Sequence, residues 1–384
     1  MLESFGRREI EYELQQLESL DLRRQVYTQT GPQGTNVDLG GSFFLSFCSN
    51  DYLGLANHPE IVEALGRGAT RYGVGAGGSH LVCGHMQPHA ELEIMLAKFV
   101  SQESALLFGS GYLANLGILT TLADRHTTIF ADRLNHASLN EGALLSRAKL
   151  VRYQHKNINQ LDQLMSAEKV KKKLVVTDGV FSMDGDIAPI QLLADLCTYH
   201  DAWLVIDDAH GFGLQNEGRG SLYGIHHDTD QIVYMGTLSK AMGGYGAFVA
   251  GPRYLIDFLI QRAKSYIYTT AIPPALAYAM CHALHILGTE QNRRDDLTEL
   301  IRVFKNDANA IGLNLMPSDT PIQPLMMGSN SRAISMSRRL FDRGIWVPAI
   351  RPPTVPQGEA RLRVSLCASH DIKDLHRLLE VLNE

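Results

Sequence analysis

QIVYMGTLSKAMGGYG, residues 231–246, reads as a buried strand that runs into a glycine-rich turn and delivers Thr237, Ser239 and Lys240 there. A lysine at the end of an apolar strand is poorly explained as a solvated side chain. Its amine is a nucleophile that can condense with a carbonyl, and Thr237 stands where a hydroxyl would meet a phosphate. Two upstream stretches share this build: KLVVTDGVF (173–181) and AWLVIDDAHGFG (202–213) each end an apolar run in polar, reactive residues. Such strands, alternating with longer helical patterns, predict an α/β fold with a mostly parallel central sheet flanked by helices. Ligands of these sheets gather beyond the carboxyl ends of the strands, where the polar clusters fall.

In LVIDDAHGFG, Asp207 closes the apolar run and His210 follows three positions later. In isolation this is equally a turn aspartate with a satisfied histidine. A carboxylate beside an apolar strand is costly without a cationic partner, and a protonated ring nitrogen is one such partner. Asp208 should point to the opposite face, and its loss should be milder unless that face carries a structural hydrogen bond. In FGSGYLANLGILTTLA (108–123), a helix begins at Ser110, Gly111 and Tyr112 with its free N–H groups facing outward, an anion site or simply a cap.

GVGAGG (73–78) satisfies GxGxxG through Gly73, Gly75 and Gly78, yet it follows a helical stretch rather than a strand. No acidic residue ends a second strand about 20 residues on, so a dinucleotide site is not supported. The first 45 residues read as a charged amphipathic helix and an extended piece containing FFLSF (43–47), with a helix from His58 to about Tyr72. From about Glu290 a charged helix leads to two short strands, TPIQPLMMG (320–328) and ARLRVSL (360–366), separated by a helix and the loop AIRPPTVPQG (349–358). The expected organisation is an N-terminal segment 1–45, a large domain 46–288 and a smaller C-terminal α+β domain 289–384.

The chain has 384 residues, 45% hydrophobic and 20% charged, too many for one ordinary core and typical of a globular two-domain protein. A net charge of −6, with one tight basic run at Lys169 and Lys171 to Lys173, gives no footprint for nucleic acid. No apolar stretch approaches a bilayer span and the N-terminus is no signal peptide, so a cytoplasmic location without membrane contact is expected. Five scattered cysteines suggest neither a disulfide framework nor a metal site.

Taken together, SNDYLGL (49–55), ADRLNHASLNEG (131–142), GVFSMDGDIAP (179–189), DDAHGFG (207–213), GTLSKAMGGYG (236–246) and RPPTVPQGEARLR (351–363) resemble the α-oxoamine synthase family of fold-type I pyridoxal-phosphate enzymes. The resemblance implies the coenzyme pyridoxal 5'-phosphate and the decarboxylative condensation of a small amino acid with an acyl thioester. It implies that Lys240 holds the coenzyme, Asp207 meets its ring nitrogen and His136 stacks on the ring. Ser182 and His210 would reach the ring hydroxyl, and Ser110, Gly111, Tyr112 and Thr237 would anchor ring or phosphate. Among substrate groups, Arg363 would hold the amino-acid carboxylate, with Arg23, Asn50 and Thr354 near the acyl chain.

The C-terminal loop and the length are most similar to the branch that uses L-alanine and a pimeloyl thioester, carried on CoA or on acyl-carrier protein, in biotin biosynthesis. Branches using glycine or serine share the lysine set, so the motifs leave the branch open; a coenzyme-binding protein without activity is disfavoured because the base, the ring-nitrogen partner and the carboxylate arginine are all present. Ser79 falls where glycine-using members carry threonine, which implies room for the alanine methyl. His80 and His85 depart from the family pattern and leave the substrate entrance undefined. The family also implies a homodimer, with Thr269 or Thr270 reaching the neighbouring phosphate.

Overall fold

The computed structural model describes residues 6–227 and 230–384. Two compact units emerge, one of Asn50–Ser182 with Asp186–Asp296, the other of Met1–Ser49, Met183–Gly185 and Leu297–Glu384.

The larger unit is built on seven strands: β1 (Ser104–Phe108), β2 (Thr127–Asp132), β3 (Lys149–Tyr153), β4 (Lys172–Asp178), β5 (Trp203–Asp207), β6 (Ile232–Thr237) and β7 (Ala247–Gly251). Their order is β1-β7-β6-β5-β4-β2-β3. β7 runs antiparallel to both neighbours, and the remaining pairs are parallel. β1 and β6 both oppose β7, so β1 through β6 all point the same way and their carboxyl ends share one edge. β2, β6 and β7 are buried along their whole length, as expected of strands covered on both faces. Edge strand β3, KLVRY, is exposed at Lys149 and Arg152, charges that discourage pairing with another sheet.

Two helices position the site. α1 (Gly111–Leu122) and α2 (Ala137–Leu145) contribute Ala114, Ile118, Leu119, Leu139 and Ala143 to one core with Ile129, Val176, Val205 and Met235. They approach closely because Gly142 has no side chain: a Cβ there would stand 3.0 Å from Leu119 and 3.3 Å from the carbonyl of Asn115.

The smaller unit carries helix Arg7–Ser19 and two three-stranded sheets. In one, Phe43–Ser46 lies between Asn36–Asp38 and Ile345–Trp346; in the other, Ala360–Ser365 lies between Ile322–Gly328 and Ala349–Ile350. The C-terminal stretch therefore has two strands beyond the two expected from sequence. Ile345–Trp346 and Ala349–Ile350 are two residues each, too short to show a period, and exist because a neighbouring strand pairs with them.

Candidate active site

Asp207 is the last residue of β5 and is buried. Its Oδ2 accepts from Asn115 Nδ2 at 2.6 Å and its Oδ1 accepts from the Ala209 amide at 3.0 Å. Beside it in register stands Asp178, the end of β4, whose Oδ1 accepts from the His136 amide at 3.0 Å. Burial, reinforced by the charge of Asp207, raises the Asp178 pKa well above its ordinary value.

His136 follows β2 and caps α2, its Nδ1 lying 2.7 Å from Ser138 Oγ and 3.3 Å from the Ser138 amide. The residue as a whole is exposed. Its pKa is lowered by the desolvating surroundings; Asp207 opposes that shift and Lys240 adds to it. Asp207, Asp178, Lys240 and His136 thus form one electrostatic neighbourhood at the carboxyl edge of the sheet.

Lys240 is partly buried in the turn after β6. Thr237, at the strand end, donates from its hydroxyl to the Gly246 carbonyl at 2.9 Å and lies 2.7 Å from Ser239 Oγ. That proton is committed within the turn, and exposed Ser239 is the hydroxyl facing outward. Ser110 caps α1, its Oγ accepting from the Leu113 amide at 3.3 Å, so the amides of Gly111 and Tyr112 lead the helix N-terminus at the same sheet edge. Ser182 is partly exposed in the turn after β4. His210 Nδ1 lies 2.7 Å from the Tyr52 hydroxyl, which also reaches Asn50 Oδ1 at 3.1 Å. Thr269 and Thr270 follow the short helix Lys264–Ile267, Thr270 exposed and Thr269 partly so.

Arg23, Thr354 and Arg363 belong to the smaller unit. Arg23 and Thr354 line a cavity of about 780 Å³ there with Arg24, Arg338, Arg351 and Trp346, and Arg23 pairs with Glu18 at 2.7 Å. Arg363 is buried in its strand, with Nη1 donating to Ser365 Oγ at 2.7 Å.

Four residues in contact with this set were not singled out from the sequence: Asn115, Ser138, Asp178 and Tyr52. Asn115 left a signal, being the one amide side chain in the apolar helix GYLANLGILTTL. The others acquire meaning only from partners distant in the chain.

A family model for aminotransferase class I and II matches residues 44–382. An 8-amino-7-oxononanoate synthase of Nitrosospira multiformis is 52% identical over 364 residues, 94% of this chain and 92% of its own. A serine palmitoyltransferase solved with PLP superposes with a TM-score of 0.91 at 29% identity, covering 98% of this chain and 96% of that one. An 8-amino-7-oxononanoate synthase structure from Francisella tularensis gives a TM-score of 0.78 at 32% identity, over 88% of this chain and 97% of its own.

Proposed function

The chain belongs to the aminotransferase class I and II family, and on that footing we propose that it catalyses the 8-amino-7-oxononanoate synthase reaction. In that reaction L-alanine and a pimeloyl thioester, on CoA or acyl-carrier protein, give 8-amino-7-oxononanoate, CO2 and free thiol. The observation that carries this reading is the convergence of Lys240, Asp207 and His136 at the carboxyl edge of the sheet, in a chain 52% identical to a relative of that name.

The residues present fit pyridoxal phosphate: a buried carboxylate on a strand end for a cationic ring, an amine after the next strand, an imidazole at the cap of the neighbouring helix, and a helix N-terminus for a phosphate. When bound, the coenzyme supplies a carbonyl and a ring that accepts electron pairs. Lys240 would hold it covalently and, as a free amine, would take the Cα proton of alanine as general base. Asp207 keeps the ring nitrogen protonated, and His136 fixes the plane of the ring. Ser110, Gly111, Tyr112 and Thr237 hold the ring or phosphate, with Ser239 as a further hydroxyl; Ser182 and His210 meet the ring hydroxyl, His210 oriented by Tyr52. Arg363 takes the alanine carboxylate, and Arg23, Asn50 and Thr354 the acyl chain. A bond would form between alanine Cα and the thioester carbonyl as the C–S bond breaks and the sulfur leaves to take up a proton; the bond from Cα to the carboxylate would then break to release CO2, and Cα would regain a proton from Lys240.

The proposal includes a homodimer in which Thr269 or Thr270 completes the neighbour's phosphate site. Leu81 and Val82, 51% and 81% exposed, lie on a helical turn that packs against the helix Lys264–Ile267, and Tyr268, 79% exposed, directly follows that helix; this apolar surface supports the dimer. It also includes a cytoplasmic location; no helix among the described residues is long and apolar enough to cross a membrane. The test is thiol release with alanine, glycine or serine against short, pimeloyl and long acyl thioesters. Alanine with pimeloyl thioester should be fastest, and Lys240→Ala should release none. Faster turnover with glycine or serine would assign the chain to another branch of the α-oxoamine synthases, and full activity in Lys240→Ala would refute the scheme.

A further inference from the structure

Asn115 is fully buried in α1, and its amide nitrogen serves two acceptors: Asp207 Oδ2 at 2.6 Å and Ser138 Oγ at 2.8 Å. Ser138, also fully buried, lies 2.7 Å from His136 Nδ1. Proton accounting fixes the direction of this chain. A carboxylate only accepts, so the NH2 end of Asn115, not its oxygen, must face Asp207. The second N–H of that group then goes to Ser138 Oγ. A hydroxyl can accept two bonds, so Asn115 alone does not set its direction; the Ser138 amide, 3.3 Å from His136 Nδ1, can only donate, which makes Nδ1 the acceptor and leaves the Ser138 hydroxyl to donate to it. The carboxamide oxygen of Asn115 meanwhile has no hydrogen-bond partner among the described residues, a cost that an apolar side chain of similar volume would avoid.

We propose that Asn115 and Ser138 are positioning residues that carry the acceptor character of Asp207 across to His136, fixing its imidazole with Nδ1 as acceptor, its proton on Nε2, and its plane set by the Ser138 hydroxyl. The inference rests on the roles given above to Asp207 and His136. Its sense is functional. The residue meant to meet the ring nitrogen and the residue meant to lie over the ring are tied by one buried amide, so neither turns independently of the other. The charged or titratable groups around His136 are Asp207 on β5, Asp178 on β4 and Lys240 after β6.

The test is imidazole ¹⁵N NMR of the full-length enzyme as purified, and again after removal of coenzyme, with His136 assigned through His136→Gln. In the wild type, Nδ1 of His136 should be the unprotonated nitrogen and Nε2 the protonated one. Loss of one donated hydrogen bond is worth a factor of about 3 to 10 in the protonation equilibrium, so Ser138→Ala should raise the His136 pKa by roughly half to one pH unit and enlarge the minor tautomer, the Ser138 amide still favouring Nδ1 as acceptor. Asn115→Leu, which removes one donor to the hydroxyl, should enlarge the minor tautomer as well, and Ser138→Thr should restore the wild-type pattern. A protonated Nδ1 in the wild type, or tautomer and pKa unchanged in both Ser138→Ala and Asn115→Leu, overturns the proposal. Because the reading needs no turnover, it separates from the functional assignment: an enzyme that releases no thiol but shows the expected tautomer fails the assignment alone.

Discussion

Asp208 accepts three hydrogen bonds, from the Ser221 amide and hydroxyl at 2.8 Å each and from the Tyr234 hydroxyl at 2.7 Å. It sits where Gly179 and Gly211 leave room, since a Cβ at either would come within 2.3 or 2.1 Å of its Oδ1. Burial pushes its pKa up to about 6, the three donors restraining the rise. The expectation from sequence that Asp208 is the milder position to change therefore gives way, because its face does carry structural bonds. Asp208→Asn must point an amide where donors already converge and should cost about 2 kcal/mol of stability, read as a lowered melting temperature. Asp207→Asn should lower kcat with KM near the wild type, since the charge lost acts on the reacting ring, and its amide, meeting Asn115 or the Ala209 N–H, should lower the melting temperature as well. Near-normal kcat in Asp207→Asn would move the ring to another carboxylate. At Ser79, one methyl of difference is worth about 1–3 kcal/mol, so alanine should be preferred over glycine clearly but not absolutely in kcat/KM.

Strand ends were the legible elements. β4, β5 and β6 stood out because each is an apolar run buried on both faces, so the residue where polarity begins marks the sheet edge, and Asp178, Asp207 and Thr237 fall there. β3 was not legible: its edge position lets Lys149 and Arg152 face water, and KLVRY has no pattern of its own. The connection after β3 was equally silent, although it carries a clamp. His155 lies 3.0 Å by Nδ1 from Asp132, at the end of β2, and 2.8 Å by Nε2 from Asp186, beyond the turn after β4. Burial would lower its pKa, but hydrogen bonds to both carboxylates outweigh burial and raise it from 6.5 to about 9. A raised folded-state value means stability that is complete below about pH 6.5 and is lost as pH rises through about 9. The ceiling for this is about 3 kcal/mol. Thermal melts from pH 6 to 10 should show the decline, and His155→Gln should flatten it; an equally steep decline in the variant would exclude the clamp.

For the whole molecule, the predicted homodimer should appear in sedimentation, and activity should fall on dilution below its dissociation constant; a fully active monomer would remove Thr269 and Thr270 from the phosphate site. The grouping of Met1–Ser49 with Leu297–Glu384 was beyond local sequence reading, because nothing in FFLSF names a partner nearly the whole chain away. Phe43–Ser46 takes its parallel neighbour from Ile345–Trp346, roughly 300 residues later. That separation also has a meaning in time. At about 5–20 residues per second on the ribosome, the early strand waits about 15 to 60 seconds for its mate. Residues 50–296 are complete well before then, so the larger unit has its whole sequence while one edge of the N-terminal hairpin stays open. A nascent chain stalled before Ile345 carries that open edge for as long as it stalls, which makes the long interval before Ile345 is made the one in which this protein most needs a holding chaperone.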